Sequence, residues 1–231
     1  MILQALALAT GGVHAVYEDT DLLVLQKPAG LLCVPGRGPD KQDCLSARAQ
    51  QRWPGALIVH RLDQATSGLV LMARHLEAQR RLSQAFAERQ VHKRYQAVVQ
   101  GCLQADDGNT DAQAWHDISL PIAADWERRP MRVIDAAAGK PSLTRWRARH
   151  YDAASNTTQV ELEPVTGRTH QLRVHLAAVG HPILGDALYA NALALSRAPR
   201  LLLHASQLAF AHPSTAAQMA FEWPENFDEI G

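Results

Sequence analysis

Residues Val59 to Arg74 read V-H-R-L-D-Q-A-T-S-G-L-V-L-M-A-R. Apolar runs flank the centre, Leu57-Ile58-Val59 before and Leu69-Val70-Leu71-Met72 after, each short enough to be a buried strand. Between them Arg61, Asp63, Thr66, Ser67 and Gly68 spell a loop. The pattern sets a lone carboxylate at the mouth of a sheet, with an arginine two residues before it and hydroxyls after it. Taken alone, an aspartate of this kind most often caps its own turn by bonding backbone N–H groups.

The ten positions from His60 to Leu69, H-R-L-D-Q-A-T-S-G-L, resemble the catalytic motif of the RluA-type family of RNA pseudouridine synthases. In that family the aspartate is the essential catalytic residue, and the match falls on Asp63 without a gap. A protein-kinase catalytic loop is a poorer fit. The aspartate comes one place late for H-R-D-L, and neither D-F-G nor a glycine-rich phosphate loop is present.

The resemblance extends along most of the chain from Val13 onward. V-H-A-V-Y-E-D-T-D-L-L-V-L-Q-K-P-A-G-L predicts two short strands around an acidic turn, and it is similar to the family's opening motif. Lys27 is part of that motif, with a supporting role expected on the floor of the site. K-R-Y-Q-A matches a K-x-Y motif whose tyrosine, here Tyr95, stacks on the target base and takes part in proton transfer. The stretch from Pro164 to Tyr189, with T-G-R-T-H-Q-L-R-V-H at its centre, is similar to a second long signature. Its arginine at Arg173 is implied to pair with the catalytic aspartate. Read from the residues alone, Tyr95 is a half-buried strand tyrosine and Arg173 a structural ion pair, while His170, His175 and His181 are hydrogen-bonded structural histidines.

Composition sets the frame. A chain of 231 residues with 47% hydrophobic content suits a globular enzyme with one core or two small lobes. Residues 1–12 read as an apolar start segment without the positive charge of a secretion signal, and 13–231 as a single catalytic domain. An S4-type RNA-binding extension has no room before Val13, so recognition falls to the catalytic domain itself. Cys33, Cys44 and Cys102 form neither a disulfide framework nor a metal-binding spacing, which points to a reducing cytoplasm. Lys plus Arg and Asp plus Glu balance at 23 each, so any RNA-binding charge must be local. Two segments supply it, Arg61 to Tyr95 with seven basic residues against three acids, and Arg128 to Arg149 with seven against Asp135. Either segment could equally be the solvated face of ordinary helices and strands.

Helices are predicted over Asp43–Trp53 with Asp43 as N-cap, over His75–Gln90, and over Thr169–Val179 ending at Gly180. The last would set Arg168 at a helix start, where free N–H groups favour anions, and would bury Leu172, Leu176 and Val179. Ser142 to Tyr151 alternates, with Arg145, Arg147 and Arg149 on one wet face. Residues 101–115 read as a variable surface loop. The fold class expected is α+β, a mixed and mostly antiparallel sheet flanked by helices, with the active-site cleft across the sheet.

The implied activity is isomerisation of a uridine in structured RNA to pseudouridine after base flipping, which needs no cofactor and no metal. Asp63 would act at the sugar, Arg61 would fill the vacated stack, Tyr95 would hold the extruded base, and Arg173 would keep the carboxylate ionised and oriented. Arg168 joins them as an RNA contact. I-S-L-P-I-A-A-D-W-E-R-R-P-M-R-V, with the later G-K-P, resembles short single-domain members acting on tRNA and on 23S rRNA, so the partners implied are tRNA, 23S rRNA or both, with no membrane, for a monomer. Other classes fit less well. A deaminase lacks the P-C-x-x-C to complete the H-x-E at His75–Glu77. A glycosidase needs a second carboxylate that Leu57 to Arg74 does not offer. A non-catalytic RNA-binding module of the same fold stays open, because every basic feature serves binding equally well.

Overall fold

A computed structural model describes residues 12–104 and 114–227. Residues 1–11 of the start segment and 105–113 of the predicted surface loop lie outside them. In chain order the strands are β1 (His14–Glu18), β2 (Leu22–Lys27), β3 (Leu57–Ile58), β4 (Ser67–Ala73), β5 (His92–Gln100), β6 (His116–Ser119), β7 (Ile122–Ala124), β8 (Arg132–Ile134), β9 (Leu143–Asp152), β10 (Thr157–Pro164), β11 (Leu203–Ala211) and β12 (Gln218–Glu222). The helices are α1 (Leu45–Arg52), α2 (Leu76–Ala87), α3 (Gln171–Ala178) and the short α4 (Ala192–Ser196). The class is α+β, with mostly antiparallel strands and few helices. Two compact units divide the chain: residues through His92 with Ala205–Trp223, and Lys93–His204 with the segment from Pro224 on.

In the first unit β2 pairs antiparallel with both β1 and β4, β3 pairs with the end of β4, and β12 pairs with β11. Every residue of β4 is buried, which is why S-G-L-V-L-M-A runs apolar and does not alternate. Leu22, Val24, Leu69 and Leu71 form the core with Ala78 and Leu82 of α2. The acidic turn between β1 and β2 closes on itself. Asp19 Oδ1 accepts the N–H groups of Asp21 at 2.8 Å and Leu22 at 2.9 Å.

The helix ends differ from the sequence reading. At α1 the N-cap is Cys44, whose Sγ accepts Ala47 N–H, while Asp43 is taken by Arg48 in a two-pronged ion pair. His75 caps α2 instead of belonging to it: its Nδ1 accepts Ala78 N–H and its Nε2 meets Asp21, so the H-x-E histidine is structural. In the second unit His170 has φ 57, a left-handed conformation that keeps it out of α3. The helix therefore begins at Gln171, Arg168 lies three residues ahead of it, and Val179 falls beyond its end at 39% exposure.

The second unit carries the antiparallel order β5-β10-β9-β6 and a separate β7–β8 ribbon. Register sets Tyr95, Leu162, Trp146 and His116 side by side across the four strands, hence on one face. The adjacent positions Glu163, Arg145 and Asp117 align on the other face. Arg145, Arg147 and Arg149 do share a side of β9, yet that side is not simply wet and basic. Glu161 takes Arg147 at 2.6 Å and Arg94 at 3.2 Å, Glu163 takes Arg145 at 3.6 Å, and Arg94, Arg145 and Arg147 ring Trp115. The β9 arginines are thus largely paired with acids of β10, on the face opposite to that of Tyr95.

Gly68 faces Lys27 in the β2–β4 ladder and has φ 117. A Cβ there would stand 2.3 Å from the Ala205 carbonyl oxygen of β11. Gly68→Ala is expected to destabilise the protein by about 3 kcal/mol or more, from overpacking against backbone plus the strained φ. Urea denaturation would show it as a lower midpoint, and an unchanged midpoint would contradict the close approach.

Candidate active site

The loop between β3 and β4 carries Arg61, exposed, and Asp63, half-buried. Several local bonds shape it. His60 Nε2 accepts Leu71 N–H at 2.9 Å while its ring stacks on Phe86 at 4.5 Å, which pins the entry of the loop to β4 and α2. The next buried residue, Leu62, sends its N–H to Cys33 Sγ at 3.2 Å. Thr66 N–H closes the turn on the Asp63 carbonyl at 3.1 Å. The segment after β2 is laced to the same turn, since Gly30 N–H reaches the Gln64 carbonyl at 2.9 Å and Gln64 Nε2 returns to the Gly30 carbonyl at 3.0 Å.

Lys27 lies beneath this lacing with no solvent exposure. Its ammonium donates to the carbonyls of Pro28 at 2.9 Å, Leu31 at 2.8 Å and Gln64 at 3.0 Å, which uses all three of its protons. Burial pulls its pKa down to about 8, and the negative potential of Cys33 and Asp63 pulls the other way. Burial raises the Cys33 thiol, against the Leu62 N–H and the charges of Lys27 and Arg61. Lys27, Cys33, Arg61 and Asp63 are thus one electrostatic neighbourhood. The supporting lysine was legible in the sequence; the thiol acceptor was not.

Tyr95, Arg168 and Arg173 belong to the second unit. Tyr95 is half-buried in β5. Arg173 is buried and grips Asp186 through Nε at 2.8 Å and Nη2 at 2.6 Å. Asp186 also accepts Leu188 N–H and Tyr189 N–H, and the Arg173 guanidinium lies 5.1 Å from the centre of the Tyr189 ring. The Tyr189 hydroxyl accepts Arg132 N–H at 2.9 Å and shares a 2.7 Å bond with His170 Nδ1. Gln171 holds the approach to α3: its Oε1 accepts the Thr166 hydroxyl and Arg168 N–H, while its Nε2 donates to Leu143 O and Thr144 Oγ1. Arg168 itself is exposed at the tip of that segment.

Gln171, Asp186 and Tyr189 were missed by sequence reasoning, although all three stand inside the second quoted signature. The three histidines make the hydrogen bonds expected of structural residues. His175 meets Thr144 Oγ1 and Leu120 O with its pKa lowered by burial, and His181 Nδ1 meets Gln100 O.

Asp19, Asp21 and His212 stand close enough to invite a metal-site reading. The imidazole is already committed, since Nδ1 accepts Ser214 and Thr215 N–H and Nε2 therefore donates to Asp19. That leaves no ring lone pair for a cation. No helix among the described residues is long and apolar enough to cross a membrane.

Solved structures with the same architecture give the class. Human RNA Pseudouridylate Synthase Domain Containing 1 superposes with a TM-score of 0.76 at 30% identity, over 94% of this chain and 85% of its own. Human RNA Pseudouridylate Synthase Domain Containing 4, at 23% identity and a TM-score of 0.71, shares the fold over 98% and 94%. Residues 21–178 match the RNA pseudouridylate synthase family. The dual-specificity RNA pseudouridine synthase RluA of Escherichia coli K12 is 44% identical over 92% of this chain and 93% of its own, and RluA of Haemophilus ducreyi is 44% identical over 93% and 94%. The chain belongs to the RNA pseudouridylate synthase family and is an isomerase that converts uridine in RNA to pseudouridine.

The buried fork between Arg173 and Asp186 is open to a direct check. Asp186→Asn removes the charge that receives both prongs of the buried Arg173 guanidinium and is expected to cost about 3–5 kcal/mol. Arg173→Lys, which cannot reproduce the two-pronged geometry, should also lower the denaturation midpoint. Midpoints equal to wild type would mean the pair bears no structural load.

Proposed function

We propose that this enzyme isomerises uridines in an anticodon stem-loop of tRNA, in a 23S rRNA hairpin, or in both, working in the cytoplasm with Asp63 as its catalytic carboxylate. The observation that carries the reading is the position of Asp63 on a loop braced from below by a fully buried lysine ammonium. Support for the substrate comes from the relatives, whose names describe dual specificity, and from their near-full-length match.

In the reaction the C1′–N1 bond breaks, the uracil turns, and C1′ rejoins at C5. C5 then loses its proton to solvent, and N1 ends protonated. A carboxylate at the sugar can assist either by attacking C1′ or by removing the C2′ proton, and Asp63 suits both. Extruding the uridine costs a few kcal/mol of stacking and pairing. Arg61, exposed two residues before the carboxylate, is suited to occupy the vacated stack. Tyr95 is assigned to the face of the extruded base and to proton transfer, Arg173 to orienting the carboxylate, and Arg168 to a phosphate.

Tritium release from C5-labelled uridine tests this. Wild type is expected to release tritium from one or both of an anticodon stem-loop and a ribosomal hairpin, and Asp63→Asn from neither, a loss of at least about a thousandfold for removal of the activating group. Release by Asp63→Asn at the wild-type rate would overturn the role of the carboxylate. Salt-sensitive binding of both RNAs without release by wild type would overturn the substrate assignment.

A further inference from the structure

The β7–β8 ribbon ends in the turn Asp125-Trp126-Glu127-Arg128-Arg129-Pro130-Met131, which none of the roles above uses. Trp126 is 70% exposed, whereas the other four tryptophans are buried or half-buried. A single exposed apolar residue means little by itself. This one is part of a built surface.

The turn is held rigid. Asp125 N–H reaches Met131 O at 3.1 Å and Met131 N–H reaches Arg128 O at 2.9 Å. The Asp125 carboxylate takes Arg128 N–H at 3.0 Å and Arg128 Nε at 2.7 Å. Arg129 lies over the Trp126 ring with its guanidinium carbon 4.1 Å from the centroid. At the root of the ribbon, Arg132 N–H is fixed to the Tyr189 hydroxyl, and Tyr189 in turn carries Arg173 against its ring. Once Asp125 is set against Arg128, Arg129 and Arg132 remain against Glu127.

We infer that Trp126 and Arg129 form a stacking platform for an unpaired base of the substrate RNA, at a nucleotide other than the uridine that is isomerised. Indole and guanidinium planes are the surfaces on which splayed RNA bases stack, and a cationic rim suits the phosphates on either side. Every base has a π face, so the platform tolerates sequence and contributes grip, not base identity. An enzyme that pulls one nucleotide out of a folded loop needs a hold on its neighbours while the stack is open. A second copy of the chain or a protein partner would also cover an exposed tryptophan. The guanidinium of Arg129 over its ring and the positive balance of the turn favour a polyanion instead.

The inference rests on the proposed RNA substrates, and the test separates the two. Trp126→Ala and Trp126→Phe are compared with wild type for KM and kcat on the anticodon stem-loop and the ribosomal hairpin. Binding of the same RNAs is followed by quenching of tryptophan fluorescence. Loss of one stacked base should weaken RNA binding and raise KM by about fivefold to a hundredfold, with kcat nearly unchanged, and Trp126→Phe should recover most of the loss. Weakened binding by Trp126→Ala supports the platform even if wild type binds these RNAs without turning them over, a result that would sink the substrate proposal alone. Turnover and binding by Trp126→Ala within about twofold of wild type would overturn the platform, as would a change confined to the oligomeric state. Failure of wild type to bind either RNA would overturn both.

Discussion

The ammonium of Lys27 is the constraint on which the candidate active site depends. Three backbone carbonyls from two separate segments converge on it, and one of them, Gln64 O, belongs to the residue immediately after Asp63. Carbonyls turned inward at a strand end need donors, and the Lys27 side chain that supplies them is itself shut off from solvent. A buried charge costs more than a neutral donor would, and the lowered pKa of Lys27 is the sign of that cost. The folded chain binds this proton less tightly than the unfolded chain does. The charged form therefore costs stability below about pH 8, and the cost lifts as pH rises from about 8 toward the ordinary lysine value of 10.5. Accepting such a cost makes sense where geometry matters more than stability. Gly68 serves the same end, because only a residue without Cβ lets β11 come against β4 just after the Asp63 turn.

The second unit uses the same device with the opposite sign of carrier. Asp186 is a fully buried carboxylate whose two oxygens receive a guanidinium fork and two backbone N–H groups. Burying both charges costs desolvation that their attraction largely offsets, so the pair fixes position more than it adds stability. Through Tyr189 the fork is joined to Arg132 and so to the ribbon that carries Trp126. Contacts set on rigid supports hold a substrate in a defined geometry.

Much of this was legible in the sequence, for reasons that can be named. The run H-R-L-D-Q-A-T-S-G-L is specific because its residues do different things: His60 accepts from Leu71, Leu62 fills the core, Thr66 closes the turn, and Gly68 lets β11 approach. The strands followed from alternation and from short apolar runs, and most ends fell within a residue or two. Helix starts were less legible. Asp43 is the better cap by type, yet Arg48 draws it away and leaves the position to Cys44. Thr169 and His170 have no feature that announces a left-handed residue. For the arginines of β9, alternation shows which side of the strand they share but not that β10 lays Glu161 and Glu163 beside them. Register between strands is a tertiary fact, and Asp186 and the Cys33 thiol were missed on the same ground.

The most direct test of the role given to Lys27 is an NMR titration of its side chain in labelled protein, wild type beside Asp63→Asn. A midpoint of about 8 is expected for wild type and a lower one for Asp63→Asn, because the Asp63 charge supports the ammonium. A midpoint near the ordinary lysine value of 10.5, unmoved by the substitution, would contradict that role.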